Sequence, residues 1–101
     1  MLVTNKYDKD TIVSFKIVNG DEIIAKIVEE DANGFVINKP CTVIPSQQGM
    51  GLLQTIFTAN TEKPVRLERS HIMLHAPTIK EMENHYIQTT TGIQPAGGII
   101  T

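Results

Sequence analysis

The sequence predicts a small, mostly β domain: a strongly bent, five-stranded, partly open barrel followed by a C-terminal helix. Three observations carry this. Trp is absent and aromatic residues make up only 5% of the 101 residues, so the core is built from Ile, Val and Leu, a bias that favours strands. Short alternating apolar runs are separated by tight-turn signals at Asn19-Gly20 and Asp31-Ala-Asn-Gly34. The apolar spacing turns helical only after Pro77. A single sheet packed on the helix is the alternative architecture.

Residues 1–10 show no useful periodicity and read as a short arm. The run 11–18 alternates, placing Val13, Phe15 and Ile17 on one face, and enters Asn19-Gly20, which predicts a type I′ hairpin turn. The second strand, 22–30, puts Ile23, Ala25 and Ile27 on one side and Ile24 and Val28 on the other, so it is apolar on part of both faces. The third, 35–44, contains Pro40, which donates no ladder hydrogen bond and so marks an edge or a bulge. Residues 45–51 read as a loop, 52–59 as the fourth strand and 60–64 as a turn.

The fifth strand runs from Val65 to about His75 but changes register. Val65 and Leu67 alternate on odd positions, Ile72 and Leu74 on even ones, so a bulge or short turn near Arg69-Ser70 must absorb the slip. Thr78 and Glu81 form a capping box, and Ile79, Met82 and Tyr86 repeat at helical spacing up to a stop at Gly92. The organisation expected is therefore an arm (1–10), a barrel (11–76), a helix (77–92) and a tail (93–101), within one domain.

Eleven acidic against nine basic residues give a formal charge of −2, so no global pull toward polyanions exists and any nucleic-acid site must be a local concentration of charge. One cysteine allows no intrachain disulfide, and residues 1–10 lack the apolar stretch of a signal peptide. No apolar run reaches the length of a membrane span. These point to a cytoplasmic protein with no membrane partner.

Nothing in the sequence points to catalysis or to a cofactor. His71 and His75 lie on a strand, too far apart to chelate well, with no carboxylate or cysteine at ligand spacing, so no metal is expected. Cys41 follows Pro40 in an apolar strand, the setting of a buried, inert thiol. Ser14, Ser46 and Ser70 sit in no nucleophile-elbow pattern. Gly49 and Gly51 lack the Lys-Ser/Thr and the helix of a phosphate-binding loop. Lys63, Arg66 and Arg69 form the basic cluster, with Glu62 and Glu68 interleaved. The bland reading of that cluster is a solvated surface; nucleic-acid contact is the second.

Gly20, Ala25, Ile27 and Asp31, preceded by Val13, Phe15 and Ile17, stand at the steps of the first signature of the Sm/LSm-like proteins. Leu67-Glu68-Arg69-Ser70, followed by Ile72 and Leu74, loosely matches the second. Over residues 11–75 the chain thus resembles the Sm/LSm-like family, and more specifically the divergent Sm-like proteins of marine cyanophages. It departs from the pattern where Asn33 follows Asp31 by two residues instead of four, where Glu68 and Arg69 replace Arg and Gly, and in carrying its helix after the strands.

The resemblance implies a homo-oligomeric ring closed by pairing of outer strands. It also implies a site for single-stranded RNA, in preference to DNA, and a role in RNA or DNA processing. Asn33 and Phe35 correspond to the base-contacting loop, with Arg69 and Ser70 beside them at the ring mouth and Arg66 added from the basic cluster. A phage-encoded protein of this kind would act in the cytoplasm of the infected bacterium. The competing expectation is a structural or adaptor ring that binds protein and no nucleic acid.

Overall fold

The computed structural model describes residues 6–91. Six strands run in the order β1 (Ile12–Ile17), β2 (Glu22–Asp31), β3 (Gly34–Ser46), β4 (Gly49–Gln54), β5 (Val65–Glu68) and β6 (Ile72–Pro77), followed by helix α1 (Lys80–Thr91). All pairings are antiparallel, in the spatial order β4-β3-β2-β1-β6, with β5 also beside β3. The sheet does not close, since β5 and β6 do not pair with each other. No described helix is long and apolar enough to cross a membrane.

The strand count is six where five are expected, because the 3-10 turn over Arg69–His71 divides the expected fifth strand into β5 and β6. Strand β3 runs straight through Pro40 for 13 residues. On one edge it follows β2; on the other, Gly34–Ile37 pairs with β5 and Cys41–Ser46 with β4. The change of partner coincides with a bulge: β2 pairs Ile24 with Cys41 but Lys26 with Asn38, so Lys39 and Pro40 together face one residue. Lys39 adopts a left-handed φ of 49°, and Pro40, which has no N–H, sits where the ladder is interrupted. A second bulge, at Val28, adds bend to β2. Residues 55–59, expected to be strand, leave the sheet together with the expected turn 60–64, between β4 and β5.

The first hairpin also closes differently from the expected type I′ turn. Gly20 has a φ of 95°, but Asn19 is not left-handed. Gly20 N–H donates to Ile17 O (2.8 Å) and Ile17 N–H to Asp21 O (3.0 Å), which makes a three-residue connection with glycine at the left-handed position. Asn19 fixes it from the side: its Oδ1 accepts from Asp21 N–H at 2.9 Å. The register slip at Arg69-Ser70 is present as expected, absorbed by a short 3-10 turn over Arg69–His71.

Both faces of the central strands are buried. One core holds Val13, Phe15, Ala25, Ile27, Phe35 and Ile37, and the sheet wraps it closely enough for Val65 and Leu67 of β5 and Ile72 of β6 to pack there too. The other holds Ile12, Ile24, Cys41, Val43 and Tyr86, where α1 covers the sheet. Tyr86 (1% exposed) donates its hydroxyl to Asn38 O (2.9 Å) and Lys39 O (3.0 Å), so the helix is fastened to the carbonyls of the β3 bulge.

The helix begins two residues later than Thr78. Instead of capping it, Thr78 lies 2.8 Å from the Ser14 hydroxyl through its own, and its N–H donates to Ile12 O. Ile79 is exposed, whereas Met82 and Tyr86 face the core. The proposed stop at Gly92, the tail 93–101 and the first half of the arm lie outside the described residues.

Candidate nucleic-acid interface

The turn between β2 and β3 and the 3-10 turn between β5 and β6 meet at one end of the sheet. Arg69 N–H donates to Asn33 O at 2.8 Å, which ties the turns backbone to backbone. Their close approach depends on Gly34, because a Cβ there would lie against the Leu67 carbonyl and 3.0 Å from Arg69 N. Asp31 shapes the first turn through its Oδ1, which accepts from Asn33 N–H at 2.8 Å.

The two arginines expected at the site face inward to this joint. Arg69 donates from Nη2 to Asp31 O (2.9 Å) and from Nε to Ala32 O (3.2 Å), pairs with the Glu30 carboxylate at 3.3 Å, and lies 4.9 Å above the Phe35 ring. Arg66 grips Asp31 with two nitrogens, at 3.0 and 2.9 Å, and Glu68 with Nε at 3.2 Å. Two guanidiniums are thus matched by three carboxylates, and the joint is not a basic patch. Planar bidentate pairing of this kind fixes geometry as well as charge.

Phe35, expected in the base-contacting loop, lies in the core. It is 0% exposed, with its ring 5.0 Å from Phe15, 5.5 Å from His75 and 6.2 Å from Tyr7, so neither face is open to a base. Asn33 and Ser70 are exposed and present an amide and a hydroxyl at the joined turns. Of the five residues, then, Asn33, Phe35 and Arg69 come together directly, Ser70 follows Arg69 in the turn, and Arg66 is drawn to Asp31.

Sequence reasoning missed Glu30, Tyr7 and His75. The Glu30 side chain is 8% exposed and accepts from Tyr7 N–H (3.1 Å) as well as from Arg69. The Tyr7 hydroxyl lies 2.7 Å from His75 Nδ1. Burial, then the charge of Glu30, raises the Tyr7 hydroxyl above its usual range. The arm is therefore structural from Tyr7 onward, although nothing in a period-two pattern marks Glu30 as its buried partner.

The remaining candidates for chemistry are scattered. Cys41 is buried, and desolvation pushes its thiol up to about 11, so it is protonated and unreactive at neutral pH. His71 lies in the 3-10 turn and His75 on β6; among the described residues no group of three His, Cys, Asp or Glu side chains is placed to hold a metal.

The Arg66 hydrogen bonds, with help from Asn33 N–H, hold the Asp31 carboxyl at about 2, below its ordinary 3.8. A depressed folded value means that the stabilisation is complete above the unfolded value and is lost as pH falls through the folded one. Acid unfolding of the wild type is thus expected to steepen between about pH 4 and pH 2. Both Asp31→Asn and Arg66→Ala should flatten stability against pH in that window, measured by urea denaturation at each pH. A wild-type slope retained in both variants would place the acid sensitivity elsewhere.

Compared with known families and with curated proteins, the chain matches no family model and no protein by sequence.

Proposed function

We propose that the chain is the subunit of an Sm-like ring that binds single-stranded nucleic acid, RNA in preference to DNA. The observation that carries this reading is the joint itself. The two segments that resemble the Sm signatures are far apart in sequence, yet they pack turn on turn through Arg69 and Asn33. Their exposed groups, Asn33 and Ser70, are uncharged hydrogen-bonding side chains of the kind that read unstacked bases. In this reading the arginines hold the loops in shape and the ring repeats the exposed pair around its mouth.

Assembly is favoured by the edges. Among the described residues, β4, β5 and β6 each pair on one side only. The β6 edge carries Met73 and Leu74, 61% and 69% exposed, no Lys, Arg, Asp or Glu, and a proline only at its last position, Pro77. A head-to-tail contact of β5 on the β6 of the next copy would use two of these edges and close into a ring.

The adaptor reading is kept by a specific observation: both arginines of the joint are neutralised by carboxylates. Light scattering at micromolar concentration and titration with short uridine and thymidine oligonucleotides over a salt series test the pair together. The expected result is a mass several times 11.2 kDa and binding that weakens steadily as salt rises. A monomer overturns the ring; a ring indifferent to both oligonucleotides at low salt leaves the adaptor.

A further inference from the structure

From Pro40 to Thr61 the chain contains no charged residue, and this stretch is bounded by Lys39 and, just after Glu62, by Lys63. The fold brings the two ends together. Residues 55–64 leave the sheet after β4 and rejoin it at β5, beside the bulge that holds Lys39. The excursion is built rather than loose: Thr55 N–H donates to Pro40 O (3.0 Å), Gln54 Nε2 to Ile56 O (2.7 Å) and Lys63 N–H to Asn60 O (3.0 Å).

Between the excursion and the bulge lies a cleft lined by Lys39, Gln54, Ile56, Asn60 and Lys63. It adjoins a second hollow of about 240 Å³, where the last turn of α1 adds Thr89 and Thr90. No carboxylate lines either, and neither lysine takes part in an ion pair among the described residues. This is the reverse of the joint, where every cation is matched. Lys39 moreover holds its left-handed φ where Gly or Asn would be less strained.

Next to Ile56 stands Phe57. It is 71% exposed, whereas Phe15, Phe35 and Tyr86 are buried. Exposed ring, unpaired cations and neutral hydrogen-bonding groups are the components of single-strand binding: bases stack on the ring and phosphates meet the cations. The cleft that both lysines line encloses only about 20 Å³, so a strand would run along its mouth, phosphate to the lysines, and not enter it.

We propose that this cleft binds the sugar-phosphate backbone of a single-stranded nucleic acid, with Lys39 and Lys63 on phosphate and Phe57 stacking the adjacent base. The inference rests on the nucleic-acid reading above but places affinity here, on the excursion, and not on the arginines of the joined turns.

The chain has no Trp, so Phe57→Trp supplies a single reporter that keeps the stacking face. Its fluorescence should be quenched by a ten-nucleotide uridine strand, with the same midpoint as the anisotropy of the labelled strand bound to wild type. Phe57→Ala should weaken binding about tenfold. Lys39→Asn with Lys63→Ala, the asparagine chosen to suit the positive φ, should make the slope of log K against log salt shallower by about 1.4, which is two phosphates lost. Lys16→Ala, on β1, is the control and should leave both unchanged. Circular dichroism and thermal midpoints confirm folding of each variant. Unchanged affinity and slope in the Phe57 and lysine variants, with wild type binding, overturn this site and leave the general reading in place. Absence of wild-type binding at low salt overturns both.

Discussion

Gly34→Ala is expected to destabilise the protein by about 3 kcal/mol or more, lowering the thermal midpoint by roughly 10–25 °C. Two costs coincide at this position. Gly34 has a φ of 154°, which side-chain-bearing residues rarely adopt, and the added Cβ would drive into the Leu67 carbonyl and within 3.1 Å of Glu68 Cα. Those atoms are backbone, so relief requires β5 to move away from β3, and the Arg69 to Asn33 hydrogen bond goes with it. Gly49→Ala is the comparison, because Gly49 has a φ of 122° with nothing within 4 Å of its Cβ position. Its cost is the backbone alone, about 1 kcal/mol. Equal losses in the two variants would show that the approach of β5 to β3 is not what Gly34 protects.

The second large effect is expected at Phe35→Ala, about 3–5 kcal/mol by chemical denaturation. Phe35 anchors the core beneath the joined turns, in edge contact with Phe15, and supports Arg69 from below. Removing it leaves a cavity where β2, β3 and the arm converge. Phe57→Ala, the deletion of an equal volume at an exposed position, should change stability by no more than about 0.5 kcal/mol. This pair separates the two phenylalanines by role. A small loss at Phe35 would return it to the surface function that its sequence position suggests.

Those two residues also show what was legible in the sequence. Local turn chemistry was readable: Gly20, the Asp31–Gly34 turn and the slip at Arg69-Ser70 all fall where apolar parity breaks or a left-handed residue is needed. Burial on both faces of β2 was readable as well, from Ile24 standing opposite Ala25 and Ile27. A bulge at Pro40 was readable too, but what holds it was not, because it depends on Lys39 turning left-handed and on Tyr86, 47 residues later, taking its place over the freed carbonyls. The capping box failed for a similar reason, since Thr78 finds a tertiary partner in Ser14. At the candidate site the sequence shows the arginines and the phenylalanine but not which way they face. Whether a guanidinium faces solvent or a carboxylate depends on Glu30 and Asp31, which periodicity assigns to a strand end and a turn.

The division of one edge of β3 between β4 and β5 has an evolutionary consequence. Both strands find their register directly on β3, so the connection between them carries no ladder of its own. Lengthening such a connection twofold costs only about 0.6 kcal/mol of closure entropy. Selection can therefore rewrite residues 55–64, in length and in chemistry, while the sheet and both cores stay as they are. Relatives of this chain should diverge first in the excursion, and whatever they recognise should diverge with it.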